Sequence, residues 1–105
     1  MATLDSITVD IIENALKNIK EEMDVTLFRS AMSPVIREQH DCFPMITDKE
    51  GRMVVGNFGS HVPEVVDQFS EGIFEGDGIS VSDPYSCGGS ISHINDWMII
   101  LPIFF

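Results

Sequence analysis

The segment DPYSCGGSISHINDWMIILPIFF, residues 83–105, decides the fold of this chain. Asp83-Pro84 favours a turn, because proline fixes its own φ and pushes the preceding residue toward extended geometry. Gly88-Gly89 permits backbone conformations that other residues avoid, and it lets a ligand approach closely. Residues 97–105 are large and apolar apart from Pro102, and they predict a long strand. A polar loop therefore runs directly into a stretch that needs burial.

His93 and Asp96 lie three residues apart in this loop. Positions with that spacing point to opposite faces of a strand, so the two side chains converge only in a loop or a helical turn. An imidazole nitrogen and a carboxylate oxygen together suit zinc, manganese or iron. The pattern is weak on its own. Spacing alone favours the plainer interpretation, in which His93 caps a turn and Asp96 is a solvated loop residue.

Apolar residues recur at helical spacing toward the N-terminus. Asp5 or Ser6 can cap this helix, and Ser33-Pro34 ends it. Glu13 and Lys17 are spaced for an ion pair on its outer face. The apolar stripe predicts packing in a core or a subunit interface, and its members are Ile7, Ile11, Ile12, Leu16, Ile19, Met23, Leu27 and Ala31.

The remaining segments predict short elements. We expect strands at 43–47 and 52–55 around a turn at 48–51, a short helix at 63–70, and strands at 79–82 and 97–105. Val65, Val66 and Phe69 are expected to face inward. A long N-terminal amphipathic helix followed by a hairpin, a short helix and mixed β-strands is an α+β pattern.

Composition excludes several classes of protein. A chain of 105 residues has room for one small domain. A net charge of −11 disfavours binding to nucleic acid or to an anionic membrane surface. The sequence shows no signal peptide and no apolar stretch of spanning length, so we expect a cytoplasmic protein. Cys42 and Cys87 form no CxxC pair, and we expect reduced thiols without a nucleophilic role.

Several motifs, taken in order, resemble the hydantoinase B family, which includes the B-type half of 5-oxoprolinase and the alpha-type subunits of acetone and acetophenone carboxylases. The resemblance covers almost the whole chain and is more specific than any one motif. It is carried by the helix at 7–16, by Ser33-Pro34-Val35-Ile36-Arg37-Glu38 with Asp41, by the hairpin at 48–54, and by Asp83-Pro84-Tyr85, Gly88-Gly89 and His93-x-x-Asp96.

The resemblance implies that residues 1–105 form a single partial domain, the N-terminal part of a hydantoinase B-type subunit. It makes His93 and Asp96 the expected ligands of a divalent metal, manganese or zinc, with a further histidine ligand downstream of the last strand. Asn95, Glu38 and Asp41 are weaker candidates for contacts with substrate or with a metal ligand. No catalytic residue is assigned.

The implied partner is a hydantoinase A-type subunit that binds ATP, which this chain does not bind itself. We expect a hetero-oligomer that hydrolyses a cyclic amide such as hydantoin or 5-oxoproline. The variant Ser92-His93-x-Asn95-Asp96-Trp97 resembles the acetophenone carboxylase branch, which makes a ketone carboxylase the alternative. A third possibility is a non-catalytic, truncated or structural subunit. The isolated chain is expected to show no turnover.

Overall fold

The computed structural model describes residues 3–57, 59, 62–89, 91 and 95–105. The described residues of Met1–Thr47 and Met53–Gly59 form one compact unit, the N-terminal unit. Those of Asp48–Arg52 and Ser60–Phe105 form a second, the C-terminal unit. The elements are a long helix, two short helices and two small antiparallel strand pairs, which confirms the predicted α+β class.

Helix α1 spans Ser6–Ser30 and begins where the sequence predicts. The Asp5 carboxylate accepts hydrogen bonds from the Thr8 amide at 2.8 Å and from the Thr8 hydroxyl at 2.9 Å. This cap satisfies a backbone donor that has no partner within the first turn. The predicted pair between Lys17 and Glu13 is formed at 2.9 Å. In the described part of the chain, no helix combines the length and the apolar character needed to cross a bilayer.

The apolar stripe of α1 is not buried within this chain. The helix is described in full and contains no buried residue. Leu16 and Met23 are half-buried, whereas Ile7 and Ile11 are exposed. The hairpin strands beside the helix have only two and three residues. The assignment of the stripe to a core or a subunit interface stays a prediction.

The N-terminal unit also contains a one-turn helix and two paired strands. Helix α2 spans Pro34–Arg37, which the sequence did not predict. Strand β1, Ile46–Thr47, pairs antiparallel with β2, Met53–Val55, and the register shifts between Ile46 and Thr47. Strand β1 is shorter than the predicted 43–47. The turn predicted between the strands is formed by residues 48–52, which belong to the C-terminal unit. There the Asp48 carboxylate accepts hydrogen bonds from the Glu50 and Arg52 amides at 3.0 and 2.9 Å.

The C-terminal unit holds the core of the described residues. Helix α3 spans Val62–Val66, and strand β3, Ile79–Val81, pairs antiparallel with β4, Met98–Ile100. The buried apolar side chains among the described residues are those of Val65, Ile79 and Cys87. Partly buried side chains pack around them: Ile73, Val81, Ile91, Met98 and Ile100.

Helix α3 and strand β4 are shorter than predicted by several residues, and β3 by one residue, since it ends at Val81. Helix α3 ends at Val66 rather than near residue 70, because the Gln68 and Phe69 amides donate to carbonyls three residues back, in tight turns. Phe69 is consequently 44% exposed, and the prediction that it faces inward is wrong. Strand β4 covers three of the predicted residues 97–105, since its neighbour β3 is equally short and Pro102 has no amide to donate.

Candidate functional site

The turn that begins at Asp83 is organised by its own carboxylate. The Tyr85 amide donates to Oδ1 of Asp83 at 3.0 Å, and the Ser86 hydroxyl donates to Oδ2 at 2.7 Å. The Ser86 hydroxyl, followed by the Tyr85 amide, holds the pKa of Asp83 below its ordinary value. The Gly89 amide closes the turn on the Pro84 carbonyl at 2.9 Å. The sequence-based prediction of a turn at Asp83-Pro84 is confirmed.

Cys87 and Gln68 anchor this turn to the rest of the C-terminal unit. The Cys87 side chain is fully buried beside Val65 and Ile79. The Gln68 amide group, which follows α3, donates to the Ser86 carbonyl and to the Glu64 carbonyl, the latter at 2.9 Å. A buried thiol in an apolar core serves packing. The structure therefore supports a structural role for Cys87.

The two glycines that follow Cys87 have backbone conformations that favour glycine. Gly88 has φ +62° and Gly89 has φ +80°, a region that residues with a Cβ rarely adopt. A Cβ on Gly88 would lie 3.1 Å from Cγ of Glu64, whereas a Cβ on Gly89 would meet nothing within 4 Å. Glycine at position 88 thus lets α3 approach the turn closely. An open depression beside it is lined by Pro84, Tyr85, Gly88, Gly89 and Ile91.

The predicted site residues follow this turn. Asn95 and Asp96 are exposed, at the entrance to β4. His93 lies outside the described residues. The assignment of His93 and Asp96 as metal ligands stays a prediction.

The predicted metal ligands are one imidazole and one carboxylate. The donor set of an imidazole and a carboxylate fits manganese or zinc by its chemistry. Within residues 3–57, 59, 62–89, 91 and 95–105, no group of three or more His, Cys, Asp or Glu side chains is placed to hold a metal ion. A metal at Asp96 would therefore draw its other ligands from His93 and from groups beyond those ranges.

Glu38 and Asp41 belong to the N-terminal unit, whereas Asn95 and Asp96 belong to the C-terminal unit. Glu38 follows α2, and its amide donates to the Pro34 carbonyl at 2.9 Å. The Asp41 amide donates to the Val35 carbonyl at 3.1 Å. Both side chains are exposed. The backbone thus places Glu38 and Asp41 on one short turn, and their role in substrate binding stays a prediction.

Sequence reasoning missed a ring-stacking contact made by a residue of this turn. The His40 ring stacks on Phe28 of α1, with centroids 3.8 Å apart and planes 6° from parallel. His40 has φ +56°, a left-handed conformation in which histidine is enriched. Phe28 lies one helical turn after Asp24 in α1, but no pattern in the sequence predicts its contact with His40.

Charged side chains act on the thiol of Cys42, and two of them, Lys20 and Asp24, form a partly buried ion pair. Lys20 contacts Asp24 at 2.7 Å, with both side chains about one-fifth exposed. Burial, together with the carboxylates of Asp24 and Asp41, raises the pKa of Cys42. A raised pKa keeps the thiol protonated, which is the opposite of what a nucleophile needs. This agrees with the expectation that Cys42 has no nucleophilic role.

Comparisons with known proteins bear on the chain as a whole. The sequence model of the family described as hydantoinase B/oxoprolinase matches residues 5–105. The chain is 32% identical, over its full length, to the caprolactamase subunit beta of Pseudomonas jessenii. It is 31% identical, over 97% of its length, to an uncharacterised protein of Methanocaldococcus jannaschii. The chain spans about a fifth of the length of both relatives. No solved structure matches it.

Proposed function

Because this chain belongs to the hydantoinase B/oxoprolinase family, as the N-terminal portion of such a subunit, we propose that it takes part in the ATP-dependent hydrolysis of a cyclic amide. The substrate class is hydantoin or 5-oxoproline-like. The observation that carries the proposal is the family match over residues 5–105, supported by the similarity of this whole chain to about a fifth of a protein named as a subunit of a caprolactamase.

The proposed reaction depends on activation of the substrate carbonyl. An amide carbonyl is a poor electrophile, and transfer of the γ-phosphoryl group of ATP to its oxygen, with release of ADP, makes the carbonyl carbon more electrophilic. Water then adds to that carbon, and the ring C–N bond breaks as the nitrogen leaves with a proton. The acyl phosphate that remains is hydrolysed by a second water to the carboxylate and inorganic phosphate. We propose that a hydantoinase A-type partner binds the ATP, and that this chain contributes to the surface that holds the substrate in a cytoplasmic complex of both subunits.

Within this chain, His93 and Asp96 are the proposed ligands of manganese or zinc. A bound divalent metal polarises a substrate oxygen. Asn95, adjacent to Asp96, is positioned in sequence to hydrogen-bond the substrate or to orient a ligand. The anchored turn at residues 83–89 supports these assignments, because a site is held more precisely when the segment leading into it is fixed by packing and hydrogen bonds.

A carboxylase-like subunit is the second candidate. The sequence Ser92-His93-Ile94-Asn95-Asp96-Trp97 favours it, because this variant resembles the acetophenone carboxylase branch. In that reaction, a ketone enol and bicarbonate are the activated species, and a C–C bond forms. A non-catalytic subunit is the third candidate, favoured by the apolar surface that β4 leaves exposed.

One experiment separates the three candidates. The chain is tagged in its source and isolated with whatever subunits accompany it. Ring opening of hydantoin and 5-oxoproline, and carboxylation of acetone and acetophenone with labelled bicarbonate, are then each measured with and without ATP. ATP-dependent ring opening supports the hydrolase, and incorporation of label supports the carboxylase. Absence of both from a complex that contains an ATP-binding subunit leaves the non-catalytic candidate.

The metal assignment is tested in the same complex. Asp96→Asn should lower the bound manganese or zinc and should reduce turnover by about a hundredfold or more, since the loss of a group that only orients a metal ligand already costs up to about that much. Glu75→Gln, which neutralises an exposed carboxylate elsewhere in the C-terminal unit, is the matched control and should leave both unchanged. Full metal content in Asp96→Asn would remove Asp96 from the ligand set. The isolated chain should show no turnover.

A further inference from the structure

Strand β4 and the residues next to it in sequence expose several large apolar side chains. Side chains alternate along this segment, so that Met98 and Ile100 pack toward the core formed by Val65, Ile79 and Cys87. Ile99, between them, points the other way, and it and the apolar side chains just before and after the strand are largely exposed: Trp97 66%, Ile99 69%, Leu101 71% and Ile103 80%. We refer to these four residues as the outer apolar face.

A strand that is apolar on both sides is the pattern of a strand covered on both sides. Sheets with one face in water alternate apolar and polar residues, whereas strands buried on both faces are hydrophobic throughout. Four large neighbouring apolar side chains, each about two-thirds exposed or more, exceed the isolated exposed residues that are normal on a protein surface. Tryptophan is also enriched in the buried centres of interfaces. The outer apolar face is therefore built to be covered.

We propose that the outer apolar face is the docking surface for the remainder of a hydantoinase B-type subunit, the polypeptide that follows the region matched by this chain in its relatives. The matched region is 20% of one relative and 19% of the other, so about four-fifths of each lies outside it. The family match extends through β4 to residue 105. The face and the following polypeptide are therefore neighbours along the chain in proteins of this family.

The charge of the chain disfavours a second copy as the occupant, because a net charge of −11 on 105 residues makes two copies repel each other. Pro102, two residues beyond the end of β4, offers no amide to a strand added at that edge. We therefore expect packing against the face of the sheet, whichever polypeptide covers it. The proposal rests on family membership and does not depend on which reaction the complex performs.

The test is co-expression of the complete, tagged 105-residue chain with a separate polypeptide that comprises the other four-fifths of the caprolactamase subunit beta of Pseudomonas jessenii. The two should co-purify in equimolar amounts. Hydrogen exchange measured by mass spectrometry should show residues 97–103 protected in the complex and unprotected in the chain alone. The readout is binding, so a failure here is distinct from a failure of the proposed hydrolysis.

Substitutions on the outer apolar face test whether the partner polypeptide binds there. Ile99→Asp should reduce recovery of the partner polypeptide by about tenfold or more, because an unpaired carboxylate is costly in an apolar interface. Leu101→Asp should have the same effect. Because Leu101 lies beyond the end of β4, misfolding of the strand would not explain a loss of binding in this variant. Met32→Asp is the matched control, since Met32 is 89% exposed and belongs to the N-terminal unit; its recovery should stay within about twofold of the unmutated chain.

Three outcomes would overturn the proposal. The first is a wild-type chain that does not co-purify with the polypeptide. The second is equal recovery with Ile99→Asp, Leu101→Asp and the unmutated chain. The third is a chain that dimerises alone with residues 97–103 protected, which would assign the outer apolar face to a second copy.

Discussion

Helix α1 and the core of the C-terminal unit obtain their structure in opposite ways. The helix has 25 residues, a carboxylate cap at Asp5 and an ion pair at Glu13–Lys17, yet it buries no side chain. The C-terminal unit has short elements and long turns, yet it holds the buried residues Val65, Ile79 and Cys87. Local interactions define the first region, and contacts between residues distant in sequence define the second. Substitutions should therefore act differently in the two regions.

The largest expected effect is the loss of a core side chain. Val65→Ala should lower the free energy of unfolding of the C-terminal unit by about 2 kcal/mol, through the lost methyl groups and the cavity left behind. Ile11→Ala, on the exposed stripe of α1, should change stability by no more than about 0.5 kcal/mol. Urea unfolding followed by the fluorescence of Trp97, the single tryptophan, and by the circular dichroism of α1 measures both. Equal losses would show that the stripe is covered in solution.

The second effect concerns the turn that anchors the candidate site. Gly88→Ala should cost about 1–2 kcal/mol, because it adds the strain of a positive φ to a close contact with Glu64. Gly89→Ala carries the same kind of strain without a neighbour and should cost less. Adding Glu64→Ala to Gly88→Ala should recover part of the loss. The same urea unfolding experiment measures all three, and equal costs at both glycines would mean that Glu64 does not press on the turn.

Sequence reasoning succeeded where the structure depends on neighbours along the chain. The Asp5 cap, the Glu13–Lys17 pair, the turn at Asp48 and the turn at Asp83 each require two or more polar groups at fixed spacing, and each is formed. The sequence also predicts that β3 begins at Ile79. These features need no knowledge of what packs against them.

Sequence reasoning failed where the structure depends on contacts with residues distant in sequence. Residues 97–105 have strand character throughout, but only Met98–Ile100 have a strand beside them. Phe69 follows the apolar pattern of α3, but the helix has ended by that point. The stacking of His40 on Phe28 joins positions twelve residues apart through a turn that no local pattern specifies. Apolar character indicates a need for burial without identifying what provides it.

The third effect tests the claim that α1 depends on local interactions. Asp5→Ala removes the acceptor for the Thr8 amide and should fray the first turn, lowering the helical signal in circular dichroism. Asp5→Asn keeps an acceptor oxygen and should retain most of that signal. Asp10→Ala, within the helix, is the control for removal of an acidic residue. If Asp5→Ala and Asp10→Ala behave alike, the cap does not determine where α1 begins.

The smallest effect is a pH dependence located in the Asp83 turn. Hydrogen bonds from Ser86 and Tyr85 hold the pKa of the folded Asp83 below its ordinary value of 3.8. A depressed pKa in the folded state means that the carboxylate contributes its stability above the unfolded pKa, and that this contribution is lost as the pH falls through the folded pKa. The stability lost by Asp83→Asn should therefore be greatest above pH 3.8 and should shrink progressively below it.

Ser86→Ala gives the matched comparison, because it removes the donor that lowers the pKa of Asp83 most. It should weaken the acid dependence and leave part of it, since the Tyr85 amide still donates to Oδ1. Urea unfolding of the three proteins across this pH range, followed by Trp97 fluorescence, measures the difference. A gap between Asp83→Asn and the unmutated chain that stays constant with pH would mean that the carboxylate charge plays no part. The turn would then be held by Cys87 and Gln68, as the core of the C-terminal unit is held, through contacts between residues distant in sequence.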